Sequence, residues 1–169
     1  MNKKTLKITY LAMMVCSIYV GRLSFTFIPN FQPMTAMLCL IASVFGFRYG
    51  LVVSTLSLLM SNINLGMGIW TIPQILSYAF IVALFDNEYL SRDENRIFGA
   101  MVCGFSGMAY GFLISFFQIP YLGANIFIPY YLSGLPFDVS HAIGNFVFYL
   151  TLQPVMVKIL QKAKNRIGD

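Results

Sequence analysis

Charged side chains are scarce in this sequence. Asp, Glu, Lys and Arg together make up 10% of its 169 residues, whereas about 25% is usual in a soluble domain. Hydrophobic residues make up 58%, and the mean hydropathy is +0.73. Since a soluble domain of this size could not cover its surface with so few polar groups, the composition predicts an integral membrane protein. Residues 1–169 are expected to form a single membrane domain.

The sequence also lacks the motifs of common enzyme and metal sites. It contains no Walker-type phosphate loop, no HExxH pair and a single histidine, His141. Its three cysteines, Cys16, Cys39 and Cys103, lie within apolar runs and have neither zinc-site nor disulfide-framework spacing. We therefore predict no catalysis by this chain, no metal and no cofactor. Any ATP hydrolysis would be carried out by partner subunits.

Six apolar segments bounded by turn residues predict a bundle of six transmembrane helices. They cover residues 6–27, 33–47, 50–65, 69–85, 97–119 and 137–160. About 20 apolar residues are needed to cross a bilayer, so the chain leaves little beyond six crossings. The second and third helices are separated only by residues 47–50, which predicts a tight antiparallel hairpin.

Basic residues cluster on one side of this predicted bundle. All eleven except Arg22 lie near the two termini or in the connections around residues 48 and 86–96. The positive-inside rule makes this side cytoplasmic, and both termini with it. The same bias explains the net charge of +5, so nucleic-acid binding is not predicted.

Three outer connections carry almost no charge but many Asn, Gln, Pro, Gly and aromatic residues: 24–32, 62–69 and 120–136. The third is too long and too apolar to be a solvated linker. We expect it to fold over the outer mouth of the bundle as a lid.

Two charged residues, Arg22 and Asp138, lie on the outer side. An arginine within reach of hydrocarbon is costly, so Arg22 either anchors a carboxylate, phosphate or carbonyl of a ligand, or serves as an interfacial anchor or a structural partner of Asp138. Asp138, His141 and Asn145 are spaced by three and four residues and share one face of the last helix. For Asp138 alone we favour a capping role, as a helix N-cap or a first-turn carboxylate. His141 is predicted to contact a ligand by hydrogen bonding rather than to bind a metal.

Amides and the single tryptophan concentrate in the outer connections. Residues 62–71 contain Asn62, Asn64, two glycines and Trp70, which offer amide hydrogen bonds, close backbone approach and a stacking face. An interfacial aromatic belt is the alternative explanation for Trp70. The complete set of predicted substrate-binding residues is Arg22, Asn30, Gln32, Asn62, Asn64, Trp70, Gln74, Tyr131, Asp138, His141 and Asn145.

Small residues recur every four positions in the fifth predicted helix. They are Gly99, Cys103, Gly107, Gly111 and Ser115. This spacing permits close approach of another helix, and packing within the bundle is the default explanation. Ala12 and Cys16 repeat the spacing in the first helix, where a partner protein could dock.

Three segments together resemble the substrate-binding S component of energy-coupling factor (ECF) transporters, the prokaryotic vitamin uptake systems. They are residues 27–33 (FIPNFQP), 61–71 (SNINLGMGIWT) and 134–145 (GLPFDVSHAIGN). The resemblance implies a six-helix bundle in the cell membrane whose outer loops enclose one small molecule. It also implies an ECF module, consisting of a membrane coupling subunit and two cytoplasmic ATPases, that topples the loaded bundle to release substrate inside. The family's small residues on helix one, typically alanines, fall on Ala12 and Cys16.

Within this family the sequence is most similar to members associated with cobalamin or with uncharacterised vitamin-like substrates, and pantothenate or another vitamin is the alternative. One arginine, one aspartate and many amides independently favour a neutral or singly charged ligand with amide or hydroxyl groups. A structural membrane protein of similar fold that recruits partners is a competing hypothesis. An intramembrane enzyme built on His141 and Asp138 would need a nucleophile or metal that the sequence does not offer.

Overall fold

The computed structural model describes residues 2–168, and this part of the chain is helical with no strand. Six helices in it are longer than ten residues. They are α1 (Lys3–Ser24), α2 (Met34–Phe45), α3 (Phe47–Leu65), α4 (Thr71–Leu84), α5 (Arg96–Phe117) and α6 (Phe127–Ile167). The prediction of an all-α protein is confirmed for these residues.

The six helices differ in their capacity to cross a membrane. Three helical stretches are long and apolar enough by length and composition: Lys3–Ser24, Asp93–Leu122 and Ala124–Ile167. By contrast, α2 has 12 residues and α4 has 14, or about 18 and 21 Å of helix against a hydrocarbon core of about 30 Å. Six separate crossings and the orientation of the termini therefore stay predictions.

The short helix α2 occupies the centre of the bundle. Ten of its 12 residues are buried, and it packs against α6, α3 and α1. A helix that is apolar on every side is expected in such a position, because it has no face to present to water. The core of the protein is built around α2.

The connection between α2 and α3 is shorter than predicted. Gly46 alone separates the helices, with a φ of +87° that favours glycine. Residues 47–50, predicted to be the turn, instead form the first turn of α3. The Phe47 backbone amide at this end donates to Asp86 Oδ1 at 3.1 Å. A carboxylate beyond the end of α4 thus caps α3.

The last helix begins ten residues earlier than predicted. It starts at Phe127 and includes both Pro136 and Pro154. Residues 120–136, expected to form a lid-like loop, instead form parts of two short helical turns, Ile119–Leu122 and Ala124–Ile126, and the start of α6. Pro136 and the polar residues after it suggested a helix start. A buried helix can retain an internal proline where its neighbours compensate for the lost hydrogen bond.

Pro154 shows how such compensation occurs. Because proline has no N–H, the carbonyl oxygen of Leu150, four residues earlier, loses its helical donor. The guanidinium of Arg96 replaces that donor: Nε lies 2.9 Å from the Leu150 oxygen, and Nη2 also donates to it. Arg96 thereby links the first turn of α5 to the proline-containing part of α6.

The small-residue face of α5 packs against α6. A Cβ atom added to Gly107 would lie 2.7 Å from the backbone nitrogen of Ala142, and one added to Gly99 would lie 2.7 Å from the hydroxyl of Tyr149. Real Cβ atoms do not approach other atoms so closely, so the two helices meet at this distance only because the positions are glycine. Ala12 and Cys16 have the same spacing but are exposed on α1.

Candidate functional site

A cavity of about 480 Å³ lies at the end of the bundle farthest from the terminal lysines. It is bounded by the end of α1, the segment after it, the start of α4, the end of α5 and the first half of α6. The lining residues are Arg22, Pro29, Asn30, Gln32, Gln74, Tyr78, Tyr110, Gly111, Ile114, Ser115, Tyr130, Ser133, Gly134, Phe137, Asp138 and His141. Most of these carry a hydrogen-bonding side chain, in a chain that is otherwise largely apolar.

Arg22 is buried in the last turn of α1, and two side chains of α3 bind its guanidinium. Its Nη1 donates to Ser61 Oγ and, at 3.1 Å, to Asn62 Oδ1. The amide nitrogen of Asn62 in turn donates to Gln74 Oε1 at 2.8 Å. These bonds fix the guanidinium at the cavity wall, while its Nε has no partner in the described structure. A buried arginine positioned this way can bind an anionic or carbonyl oxygen with little loss of side-chain entropy.

Asp138 also lines the cavity and is 6% exposed. It is the twelfth residue of α6, so the prediction of a capping role is wrong: the helix extends well past it toward Phe127. Its carboxylate lies against Gly111 of α5, where any side chain would collide with it. Within the described residues Arg22 and Asp138 form no ion pair, and each charge remains at the cavity surface.

His141, one turn beyond Asp138, belongs to a buried hydrogen-bonded group. Its Nε2 lies 2.8 Å from Thr35 Oγ1, which lies 3.2 Å from the hydroxyl of Tyr78. The ring of Tyr110 meets both aromatic neighbours, with centroid distances of 5.2 Å to His141 and 4.8 Å to Tyr78. The Nδ1 atom of His141 is buried without a partner. These contacts attach the cavity to the central helix α2.

Six of the predicted binding residues meet at this cavity: Arg22, Asn30, Gln32, Gln74, Asp138 and His141. Their sequence positions span the chain, and only the fold brings them together. The segment after α1 and the helix α4 therefore contribute to the same site as α6.

The other five predicted residues do not line the cavity. Asn62 supports Arg22 from behind, and Asn64 donates to the hydroxyl of Tyr19 at 2.9 Å. Trp70 is 45% exposed and covers Gly68. Tyr131 stacks on a neighbouring phenylalanine, with a centroid distance of 6.2 Å. Asn145 is fully buried, and neither polar atom of its amide has a partner.

Sequence reasoning missed the tyrosines of the site. Tyr78 follows Gln74 by four residues, so helical spacing alone could have placed it on the same wall. Residues 120–136 were predicted to be a loop, so no helical face distinguished Tyr130 and Ser133 from Tyr131, which was chosen instead. Once α6 begins at Phe127, Tyr130 lies on the face that carries Asp138, two turns away.

The site offers hydrogen bonds and one charge of each sign. Amide, phenol and hydroxyl groups can each donate or accept, the guanidinium only donates, and the ionised carboxylate only accepts. No group of three or more potential metal ligands occurs in the part of the chain that the structure describes. The arrangement suits reversible binding of a small polar molecule.

No protein-family model, curated protein sequence or solved structure shows a significant match to this chain. Over residues 2–168, the fold is helical with three stretches able to cross a membrane by length and composition, and a polar cavity lies between its helices.

Proposed function

We propose that this chain captures a vitamin or related micronutrient at the membrane surface, as the S subunit of an ECF-type importer does. One observation carries the proposal: a guanidinium and a carboxylate lie unpaired with each other in a cavity rich in amides and phenols, inside an otherwise apolar bundle. Polar groups are costly to place between membrane helices, and where they occur they usually mark a functional site. The chain would bind, and its partners would hydrolyse ATP.

The proposed location is the cell membrane of a prokaryote, with several crossings and both termini in the cytoplasm. Large apolar side chains are exposed on the outside of the bundle, among them Ile8 (67%), Phe105 (71%) and Val155 (60%). Lipid would cover them. With the basic residues on the cytoplasmic side, the cavity would open outward, where a nutrient arrives.

The cavity volume restricts the ligand. About 480 Å³ falls within the usual range of roughly 300–1,000 Å³ for drug-sized ligands. Cobalamin is considerably larger and would require the outer segments to move apart. A singly charged vitamin such as pantothenate, with one carboxylate, an amide and hydroxyl groups, matches the volume and the single arginine better.

The proposed partner is an ECF module made of a membrane coupling subunit and two cytoplasmic ATPases. Ala12 and Cys16 support this proposal because they are exposed one turn apart on α1, on the side that also carries Ile8. Small residues at this spacing allow a second helix to approach closely.

A thermal-shift screen of the detergent-purified protein tests the capture role. The panel contains pantothenate, cobalamin, folate, riboflavin, biotin and thiamine. A ligand that binds only the folded state stabilises it by about 2.7 kcal/mol at a hundredfold excess over Kd. One clear stabiliser is expected. A flat response from folded protein across the panel would contradict capture of these vitamins.

A matched pair of amide variants then tests the site. Gln32→Ala removes an amide that lines the cavity, whereas Asn64→Ala removes one that bonds to Tyr19 outside it. The first should reduce the ligand-induced shift, and the second should leave it unchanged. Equal loss in both variants would contradict the proposed position of the ligand.

A further inference from the structure

The opposite end of the molecule contains a second surface that vitamin capture does not use. An apolar groove of about 190 Å³ runs between α1, α2 and α6. Its walls include four methionines together with Tyr10 and Ser17 of α1 and Ala163 of α6. Its lining is almost entirely apolar, as a site for a hydrocarbon chain would be.

Positive charge is concentrated where this groove ends. On α1, Lys3, Lys7 and Tyr10 lie on one face, so the two lysines continue the line of the groove beyond Tyr10. On α6, Arg166 continues the face of Ala163 by one turn. A Cβ atom on Gly168 would lie 3.2 Å from Lys3 Nζ, which brings this lysine beside the end of α6.

Acidic side chains are absent from both helices at this end, and Asp169, which follows α6 in the sequence, lies outside the described residues. The whole of α1 contains no Asp or Glu, and α6 contains none after Asp138. The C-terminal dipole of α6 favours some of this positive charge, but the dipole of α1 opposes cations in its first turn, where Lys3 and Lys4 lie. The positive-inside rule explains the sign of the charge, but not its alignment with an apolar groove.

We propose that this groove binds one anionic phospholipid, with the phosphate at Lys3 and Arg166 and an acyl chain along Met14 and Met156. Tyr10 lines the groove at its lysine end, between the two parts of the proposed site. The inference rests on the proposed membrane location. It does not involve the exposed Ala12 and Cys16 face, which points to another side of α1.

Native mass spectrometry of the detergent-purified protein tests this. It is titrated with phosphatidylglycerol and with phosphatidylcholine of identical acyl chains, and in parallel with inorganic phosphate. Phosphatidylglycerol should bind one per chain and more tightly than phosphatidylcholine. Each basic contact near an anionic lipid contributes about fivefold in affinity. The double variant Lys3→Gln with Arg166→Gln should therefore bind phosphatidylglycerol about 25-fold more weakly. Arg48→Gln with Arg92→Gln removes the same charge elsewhere and should leave the preference intact.

Ser17→Phe fills the groove from an exposed position and should weaken binding of both lipids, whereas Ile8→Phe, on another side of α1, should not. If Ser17→Phe does not fold, the comparison of the two double charge variants still tests the proposal. Equal binding of the two lipids, equal loss in both charge pairs, or full lipid affinity in Ser17→Phe would overturn the proposal. Saturation by phosphate alone at the same concentration would also overturn it, because the acyl chain would then contribute nothing. The thermal shifts that the panel vitamins produce are measured on the same samples. They show whether the capture role fails independently of lipid binding.

Discussion

Removing Arg96 should destabilise the protein only while Pro154 is present. The side chain of Arg96 supplies the hydrogen bonds that Pro154 cannot give to the Leu150 carbonyl. Leaving a buried carbonyl unsatisfied costs about 1–3 kcal/mol, and this one is only partly buried, so we expect about 1–2 kcal/mol for Arg96→Leu. In a Pro154→Ala background, residue 154 regains its N–H and can donate to Leu150. The same substitution should then cost less than about 0.5 kcal/mol.

The assay is a double-mutant cycle of equilibrium unfolding in mixed micelles, with the four proteins compared under identical conditions. The expected coupling between the two positions is the difference between these losses, about 0.5–2 kcal/mol. Arg48→Leu, which removes an exposed arginine of α3, serves as the control and should show no coupling to position 154. Equal losses from Arg96→Leu in both backgrounds would refute the idea that the arginine compensates for the proline.

Two further substitutions test the packing and capping of the bundle. Gly107→Ala places a Cβ atom 2.7 Å from the Ala142 nitrogen and should destabilise the protein by about 1–3 kcal/mol. Its control, Gly134→Ala, meets nothing closer than 4.0 Å and should be neutral or stabilising by up to about 1 kcal/mol. Unfolding midpoints in the reverse order would contradict the close α5–α6 contact. Asp86→Ala should lower the free energy of unfolding by about 0.5–2 kcal/mol, because it leaves the Phe47 amide uncapped. Asp86→Asn keeps an acceptor oxygen and should retain most of that stability. Equal losses in the two variants would show that the cap is not the cause.

Composition and hydropathy were sufficient to predict the helical class and the approximate positions of most helices. Long apolar segments bounded by glycine and polar residues leave few alternatives when backbone groups cannot bond to water. Local turn signals were less reliable. Residues 47–50 contain a glycine and an arginine, yet the helix break is at Gly46, because only there does the backbone adopt a positive φ.

Proline was the most misleading local signal. Pro136 precedes a polar stripe and suggested both a helix start and a capping role for Asp138. The structure instead continues the helix through Pro136, and Asp138 becomes a cavity residue. Such tolerance depends on neighbouring helices, as the contact of Arg96 with Leu150 illustrates, and tertiary contacts of this kind cannot be read from a local pattern.

The candidate site was predictable in part. Arg22, Asp138 and His141 stood out because polar residues are costly in an apolar bundle, and all three line the cavity. Asn145 follows the same spacing, but it lies one turn deeper and is fully buried. Periodicity identifies the face of a helix, whereas the depth at which a cavity ends depends on how the helices pack.

Calorimetric titration of the isolated protein, without ATP or partner subunits, tests most directly whether the polar cavity captures a small molecule. We expect one panel vitamin to bind with a stoichiometry of one per chain. Arg22→Gln should weaken that binding about 10- to 100-fold, because a hydrogen bond to a charged group contributes about 1.5–3 kcal/mol. Absence of binding by folded wild-type protein, or unchanged affinity in Arg22→Gln, would contradict capture at this site.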